Sequence, residues 1–234
     1  KKLRGRLFVR HRQQLPDNFQ FTAELGWISD RNFLEQYFEM EWDTFKDQTT
    51  GFELKHLVDN TSWALSADFH INPFFTQTSR LPRFDHFWLG ESLLGDTLTW
   101  YQHSSAEYAQ LGVLTPPENP AELAKFKLLP WETNTLGGPA NVSGERLVTA
   151  QEIDLPLTLG PAKVVPYALG QAGHWGEDLA GNDVQRLFGQ AGVRAALPFW
   201  SVNPGIQSEL LNVNGIAHKV VFDVDASFAE ANRN

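Results

Sequence analysis

The chain has 234 residues, 42% of them apolar, with 19 Lys and Arg against 28 Asp and Glu for a formal net charge of −9, and no cysteine. This composition predicts a folded chain, excludes disulfides and thiolate metal sites, and argues against nucleic acid as a main partner. No apolar run reaches the roughly 18 residues of a transmembrane helix.

The chain opens mid-pattern at Lys1-Lys2-Leu3-Arg4, without an initiator Met or a signal peptide, as a fragment or a processed chain would. Over residues 3–14, Arg4, Arg6, Arg10 and Arg12 share one parity, and Leu3, Gly5, Leu7 and Val9 the other. A helix would scatter the arginines; a strand turns them into a basic stripe. Leu15-Pro16-Asp17-Asn18 predicts a turn. The most regular stretch is 19–43. Phe19, Phe21, Ala23, Leu25 and Trp27 alternate with Gln20, Thr22, Glu24 and Gly26. After Ser29-Asp30-Arg31-Asn32 the alternation resumes in the opposite sense, Phe38, Met40 and Trp42 opposing Tyr37, Glu39, Glu41 and Asp43. That predicts a hairpin of two long amphipathic strands, its turn capped by Asp30.

Residues 46–51 predict a polar loop, 52–58 a strand, Asp59-Asn60-Thr61 a turn and 63–71 a cleanly alternating strand. The segment 72–83, with Pro73 and Pro82, reads as irregular. Strands are expected over 84–89 and 97–108, around a turn at 90–96. Prolines 116, 117, 120, 130 and 139, with Gly137-Gly138, mark a long loop at about 112–144, with a short helix after Pro120 over 121–129. Alternation returns over 145–155; Pro156, Pro161 and Pro166 mark strand ends, bulges or weakly paired edges. Further strands are predicted through Val165, Tyr167 and Leu169 toward Trp175, over 189–199 and over 216–225, with a loop at 176–182. The sum is an all-β antiparallel meander of roughly ten strands with almost no helix.

Several of these strands hold alternation for roughly ten residues, enough to cross a tilted bilayer, where soluble strands average five or six. Aromatic residues gather at strand ends: Trp27 and Phe33, Trp63, Trp100 and Tyr101, Trp175, Phe199 and Trp200. Girdles at two membrane interfaces place aromatic residues in that way. The polar parity carries charge, which a water-filled lumen tolerates and a sandwich core does not. A soluble β-sandwich obeys the same alternation on its outer face, so a secreted glycan-binding module is the alternative.

The stretch Trp27-Ile28-Ser29-Asp30-Arg31-Asn32-Phe33-Leu34-Glu35-Gln36-Tyr37-Phe38 resembles a hairpin of the LPS-assembly outer-membrane protein family, LptD, also called organic solvent tolerance protein. Gly5-Arg6-Leu7 upstream, Leu81-Pro82-Arg83-Phe84, Tyr108, Arg146 to Pro156, Val165-Pro166-Tyr167 and the 215–226 strand with His218 follow in the same order. The resemblance implies an internal fragment of a large transmembrane β-barrel spanning residues 1–234, without the family's periplasmic jellyroll, lateral-gate strands and cysteine pairs. It further implies a non-enzymatic role in lipopolysaccharide transport in the outer membrane of a Gram-negative-type cell. The implied partners are lipopolysaccharide, outer-membrane lipids, a plug lipoprotein and the periplasmic bridge proteins.

Among the candidate sites, Arg4, Arg6, Arg10 and Arg12 are expected to line the lumen, where guanidinium suits lipid phosphate, or to pair with Glu24, Glu39 and Glu41 on neighbouring strands. Glu39, Glu41 and Asp43 read as a wet strand face rather than a catalytic or cation-binding set. His70, His86, His103 and His218 lack metal-ligand spacing, Ser104 and Ser105 lack a nucleophile-elbow context, and no phosphate-binding loop occurs. No cofactor or metal is expected.

Overall fold

In the computed structural model the structure describes residues 3–44, 49–126, 128, 142–177 and 181–232. Their eleven strands are β1 (Arg6–Gln14), β2 (Phe19–Ile28), β3 (Thr50–Val58), β4 (Thr61–Phe69), β5 (Gln77–Leu93), β6 (Leu98–Gly112), β7 (Ser143–Asp154), β8 (Leu157–Leu159), β9 (Ala162–Trp175), β10 (Val184–Ser208) and β11 (Val213–Ala231). Three short helices accompany them: α1 (Phe33–Tyr37), α2 (Glu39–Thr44) and α3 (Pro120–Leu123). The strands form one sheet in the order β1-β2-β3-β4-β5-β6-β7-β9-β10-β11, with β8 paired to β9 alone. The expected all-β antiparallel meander is the observed fold.

The chain divides into two units: residues 1–88, 103–149 and 172–185 form the first, and 89–102, 150–171 and 186–234 the second. In the first, tight turns set the register. In the three-residue loop of Pro16, Asp17 and Asn18 the last two adopt positive φ (57° and 60°), as a tight reversal needs, and Leu15 N–H donates to Phe19 C=O across it at 2.8 Å. Asp59, φ 49°, does the same work between Val58 and Thr61. Register then fixes facing. Phe21, Leu54, Leu65 and Phe84 lie in one cross-strand row, and Gln20, Lys55, Ala64 and Asp85 in another. Residues directly opposite share a face, so the apolar and polar parities fall on opposite sides as alternation requires. Aromatic rings tile the apolar side: Phe19 meets Trp63 edge-on at 5.7 Å, Trp63 stacks on Phe84 at 6.3 Å, and Phe52 lies between Phe21 and Phe69 at 6.5 and 6.4 Å. This side stays open, with Phe52 41% and Phe84 42% exposed.

Two expectations are overturned. The second strand of the 19–43 hairpin does not form; residues 33–44 make α1 and α2 instead. Pairing decides this. β3 follows β2 only as far as Glu24↔Gly51. Beyond it, the buried Asn72 side chain takes the Ile28 N–H at 3.2 Å and gives its amide to Gly26 C=O at 2.8 Å. With no strand alongside, the next segment satisfies its backbone internally. Phe33, Leu34, Tyr37 and Phe38 also carry the spacing of a helix face, and Phe33 and Leu34 bury with Ile28 against Phe38, Phe74 and Phe75. Asp30 caps the turn as expected, accepting from the Asn32 backbone N–H as well as from side chains, while Asn32, at the N-cap of α1, makes no side-chain cap hydrogen bond.

The second correction is that residues 77–83 are strand, not irregular. Ser66 pairs Arg83 while Asp68 pairs Arg80, so Leu81 and Pro82 on β5 oppose Ala67 alone on β4. A bulge is where a sheet accepts a residue without an N–H. Within the long loop expected at about 112–144, α3 starts at Pro120 under an Asn119 cap whose side chain accepts from Ala121 N–H at 2.9 Å. The remainder of that loop from 129 to 141 lies outside the described residues.

In the second unit β10 and β11 pair from Phe188↔Ala231 to Ser208↔Val213, with a register shift between Asn203 and Gln207 that accommodates Pro204. Val193 and Arg194 face opposite sides, paired to Ala226 and Asp225.

Candidate functional site: the charged face of the sheet

The polar side of the first unit is built in rows that run across the strands. One row reads Arg10, Glu24, Gly51, Asp68, Arg80 from β1 to β5; the next reads Arg12, Thr22, Glu53, Ser66, Arg83. Arg80 and Arg83 are three apart, a spacing that puts side chains on opposite faces of a regular strand. The two-against-one bulge at Leu81 and Pro82 resets the parity and brings both guanidinium groups to one side.

There they converge on Glu107 of β6, whose side chain is 3% exposed. Its carboxylate lies 3.3 Å from Arg80, 3.5 Å from Arg83 and 3.2 Å from Arg146 of β7. Arg83 also forks onto Asp85, one arm at 2.8 Å, while Arg80 reaches Asp68 at 3.6 Å. His103 Nε2 lies 3.1 Å from Asp85, and its ring stacks on Phe87 at 4.0 Å and 8°. Three guanidinium groups therefore face three carboxylates, so the cluster is neutral as a set while each member depends on the rest. Glu107 Oε2, Arg80 Nε and Arg146 Nε are buried without a well-formed hydrogen bond. Geometry here is set by charge crowding rather than by ideal pairing.

The second unit repeats the theme around Arg194 of β10. Its guanidinium sits 2.6 Å from Glu152, 3.6 Å from Asp154 and 3.9 Å from Asp225, and lies over the Tyr167 ring at 3.8 Å. The Tyr167 hydroxyl donates to Asp225 at 3.3 Å and accepts from Gln190 at 2.8 Å. Opposite Tyr167, Gly192 is required, because a Cβ there would lie 2.7 Å from Ala226 C=O and 2.9 Å from the ring.

The four arginines singled out by parity go to separate partners. Arg4 precedes β1 and forks onto Asp30 at 2.7 and 2.6 Å, also donating to Gln36. Burial pushes the Asp30 carboxyl up, but the hydrogen bonds from Arg4 and Ser29 outweigh it and hold it below the ordinary aspartate value. Arg6 bonds Glu41 of α2 at 2.6 Å and covers the Phe38 ring at 3.9 Å; its hydrogen bond holds the Glu41 carboxyl low. Arg10 meets Glu24 at 2.9 Å, across the β1–β2 pair. Arg12 makes no ion pair with a described residue. Two of the expected carboxylate partners, Glu24 and Glu41, are thus in use; Glu39 and Asp43 lie on α2 rather than on a wet strand face.

Sequence reasoning missed Arg80, Arg83, Glu107, Arg146 and Arg194. Arg83 and Asp85 do share the parity of Phe87, a signal that 72–83 read as irregular hid. Among the described residues no group of three or more His, Asp or Glu side chains is placed to hold a metal ion. No protein-family model matches the chain, and no curated protein matches it.

Proposed function

We propose that the chain is part of the wall of a transmembrane β-barrel in an outer membrane, with the aromatic side against lipid and the charged side against water. The observation that carries this reading is the bare apolar face of a single sheet: no second sheet covers Phe52, Leu65, Phe69 and Phe84 among the described residues. A soluble sandwich would bury that face. Strand length supports the same reading. β5, β6, β9, β10 and β11 have 17, 15, 14, 25 and 19 residues, beyond the roughly 9–11 that a tilted strand needs to cross a bilayer. Arginine–carboxylate clusters on the opposite side, their guanidinium groups 29–42% exposed, suit a hydrated lumen.

The proposed role is lipopolysaccharide transport and assembly at the outer leaflet, without enzymatic chemistry, alongside a plug lipoprotein and periplasmic bridge proteins. The likeness of residues 27–38 to the LptD family and the guanidinium groups on the polar side support it. The test is fractionation with heat-modifiable gel mobility. Recovery with outer membranes and a mobility change on boiling are expected. Recovery as a soluble protein without detergent rejects the reading. A photo-crosslinking residue at position 6 or 10 should form adducts with lipopolysaccharide in cells; adducts at other lumen positions but not at these would leave the arginines as structural partners of Glu24 and Glu41.

A further inference from the structure

Between the pairs Asn203↔Ile216 and Gln207↔Asn214 the β10–β11 ladder is uneven: Pro204, Gly205 and Ile206 stand against Gly215 alone. Gly215 has no partner in the register, and it adopts φ 92°, a conformation that glycine enters freely. The residue before it is Asn214, and Asn214-Gly215 is the one Asn-Gly step in the sequence. Asn214 is exposed. Its Oδ1 accepts from Gln207 Nε2 at 3.2 Å, which draws electron density from the amide carbon, while its Nδ2 has no hydrogen bond with a described residue. A polarised amide with an unheld nitrogen therefore stands beside a backbone N–H that no side chain shields.

We propose that Asn214 is a self-modifying site, converted without an enzyme to aspartate and isoaspartate through a succinimide. The Gly215 backbone nitrogen gives its proton to water and bonds to Asn214 Cγ. The Cγ–Nδ2 bond breaks, and the nitrogen takes up a proton and leaves as ammonia. Water then adds to one imide carbonyl, its hydroxyl staying on carbon and its other hydrogen going to the ring nitrogen as the ring opens. Opening at Cγ restores the ordinary chain as aspartate. Opening at the Asn214 main-chain carbonyl leaves isoaspartate, whose backbone runs through Cβ and is longer. Both products add a negative charge to the hairpin. β10 already carries the surplus of residues here, so the longer β11 backbone is taken up where the ladder is uneven and the pairs on either side keep their register. Asparagine is a thermolabile residue, but the other asparagines lack this setting. Asn72, Asn119 and Asn203 precede prolines, which have no N–H to give up. Asn18 and Asn32 precede Phe, and Asn212 precedes the β-branched Val213, whose side chains crowd ring closure. The chemistry is the same whether or not the sheet spans a membrane.

The experiment is peptide mass spectrometry of the detergent-solubilised protein after warm incubation at neutral pH in heavy-oxygen water, beside a sample unfolded in urea. The peptide carrying Asn214 should gain about 3 Da, the amide nitrogen being lost and one heavy oxygen gained. It should resolve into an aspartate and an isoaspartate form, the second a substrate for isoaspartyl methyltransferase. The folded protein should convert at a rate of the same order as the unfolded one, because the ladder leaves Gly215 unpaired. Asn214→Gln, whose longer side chain does not close the succinimide ring, should lose the conversion, and Gly215→Ala should slow it. Asn214→Gln leaves the glycine in place, so it remains informative if Gly215→Ala fails to fold. No conversion in the folded protein, conversion confined to urea, aspartate without isoaspartate, or faster conversion at Asn18, Asn32 or Asn212 would each overturn the site. A heat-modifiable outer-membrane protein that leaves Asn214 intact loses the site and keeps the barrel. A soluble protein that converts at Asn214 keeps the site and loses the barrel.

Discussion

Two sets of arginines occupy the polar side of the first unit, and they are held differently. At β1 and just before it each arginine with a partner has a carboxylate largely to itself, at the end of the sheet order. At β5 and β7 three arginines share Glu107 in the interior of that order. Water can replace any one partner at β1. Around Glu107 it cannot, because the carboxylate is almost wholly covered. The same residue type is therefore replaceable in one place and obligatory in the other, and burial of the shared acid makes the difference.

The strongest way to break this comparison is Glu107→Ala. Removing the shared acid leaves Arg80, Arg83 and Arg146 crowded, with Asp68 and Asp85 unable to satisfy all three. The three arginines left behind are 29–42% exposed in their side chains, so water reaches them and the cost is about 1–3 kcal/mol. Equilibrium urea unfolding in detergent micelles measures it, and a loss below 1 kcal/mol would make the two sets equivalent.

Gly51 joins the sets, sitting midway in the row from Arg10 to Arg80. A Cβ there would lie 2.3 Å from Ala67 C=O and 2.8 Å from Asp68 Oδ1. Gly51→Ala must push β3 from β4 or turn Asp68 from Arg80, at roughly 1–3 kcal/mol. The same unfolding assay applies, and combining it with Arg80→Met should give less than the sum if Asp68 carries the effect.

The meander and its facing were legible because alternation and turn residues agree along most of the chain. Alternation misled at 37–43, where Met40 and Trp42 fit a strand but no strand lies beside them; whether a segment pairs is decided by residues such as Asn72, distant in sequence. The Glu107 cluster was illegible for a related reason. It depends on a bulge that shifts parity at Pro82 and on strands β5, β6 and β7 whose arginines and acids lie 24 to 66 residues apart, Arg83 to Glu107 and Arg80 to Arg146. The β1 arginines stood out because their spacing is local.

A smaller effect is expected at Arg4 and Asp30, both about a third exposed in their side chains. Asp30 titrates below its ordinary value in the folded protein, so its contribution is complete above the unfolded aspartate pKa of about 4 and is lost as pH falls through the lower folded value. Asp30→Asn should cost about 0.5–1 kcal/mol at pH 7 after solvent screening. The gap between wild type and variant should close below pH 4 and stay constant above pH 5. A gap that widens in acid would contradict the pairing.

Arg12 gives the smallest change and the sharpest contrast with Glu107. It stands opposite Thr22, is exposed, and has no ion pair with a described residue. No group among the described residues would be left unsatisfied by Arg12→Ala, so unfolding free energy should move by no more than about 0.5 kcal/mol. On the proposed reading of the chain as a lipopolysaccharide-transport wall, that neutrality matters for function. Arg4, Arg6 and Arg10 already hold carboxylates, and a phosphate approaching them competes with Asp30, Glu41 or Glu24. Arg12 offers its guanidinium without that competition, and bidentate capture of a phosphate by it displaces only water. Arg12→Ala should therefore leave unfolding unchanged while lowering lipopolysaccharide adducts from a crosslinker placed at position 10. A stability loss above 1 kcal/mol would show that Arg12 is held like the interior arginines, and adducts unaffected by the substitution would remove it from the path of the lipid.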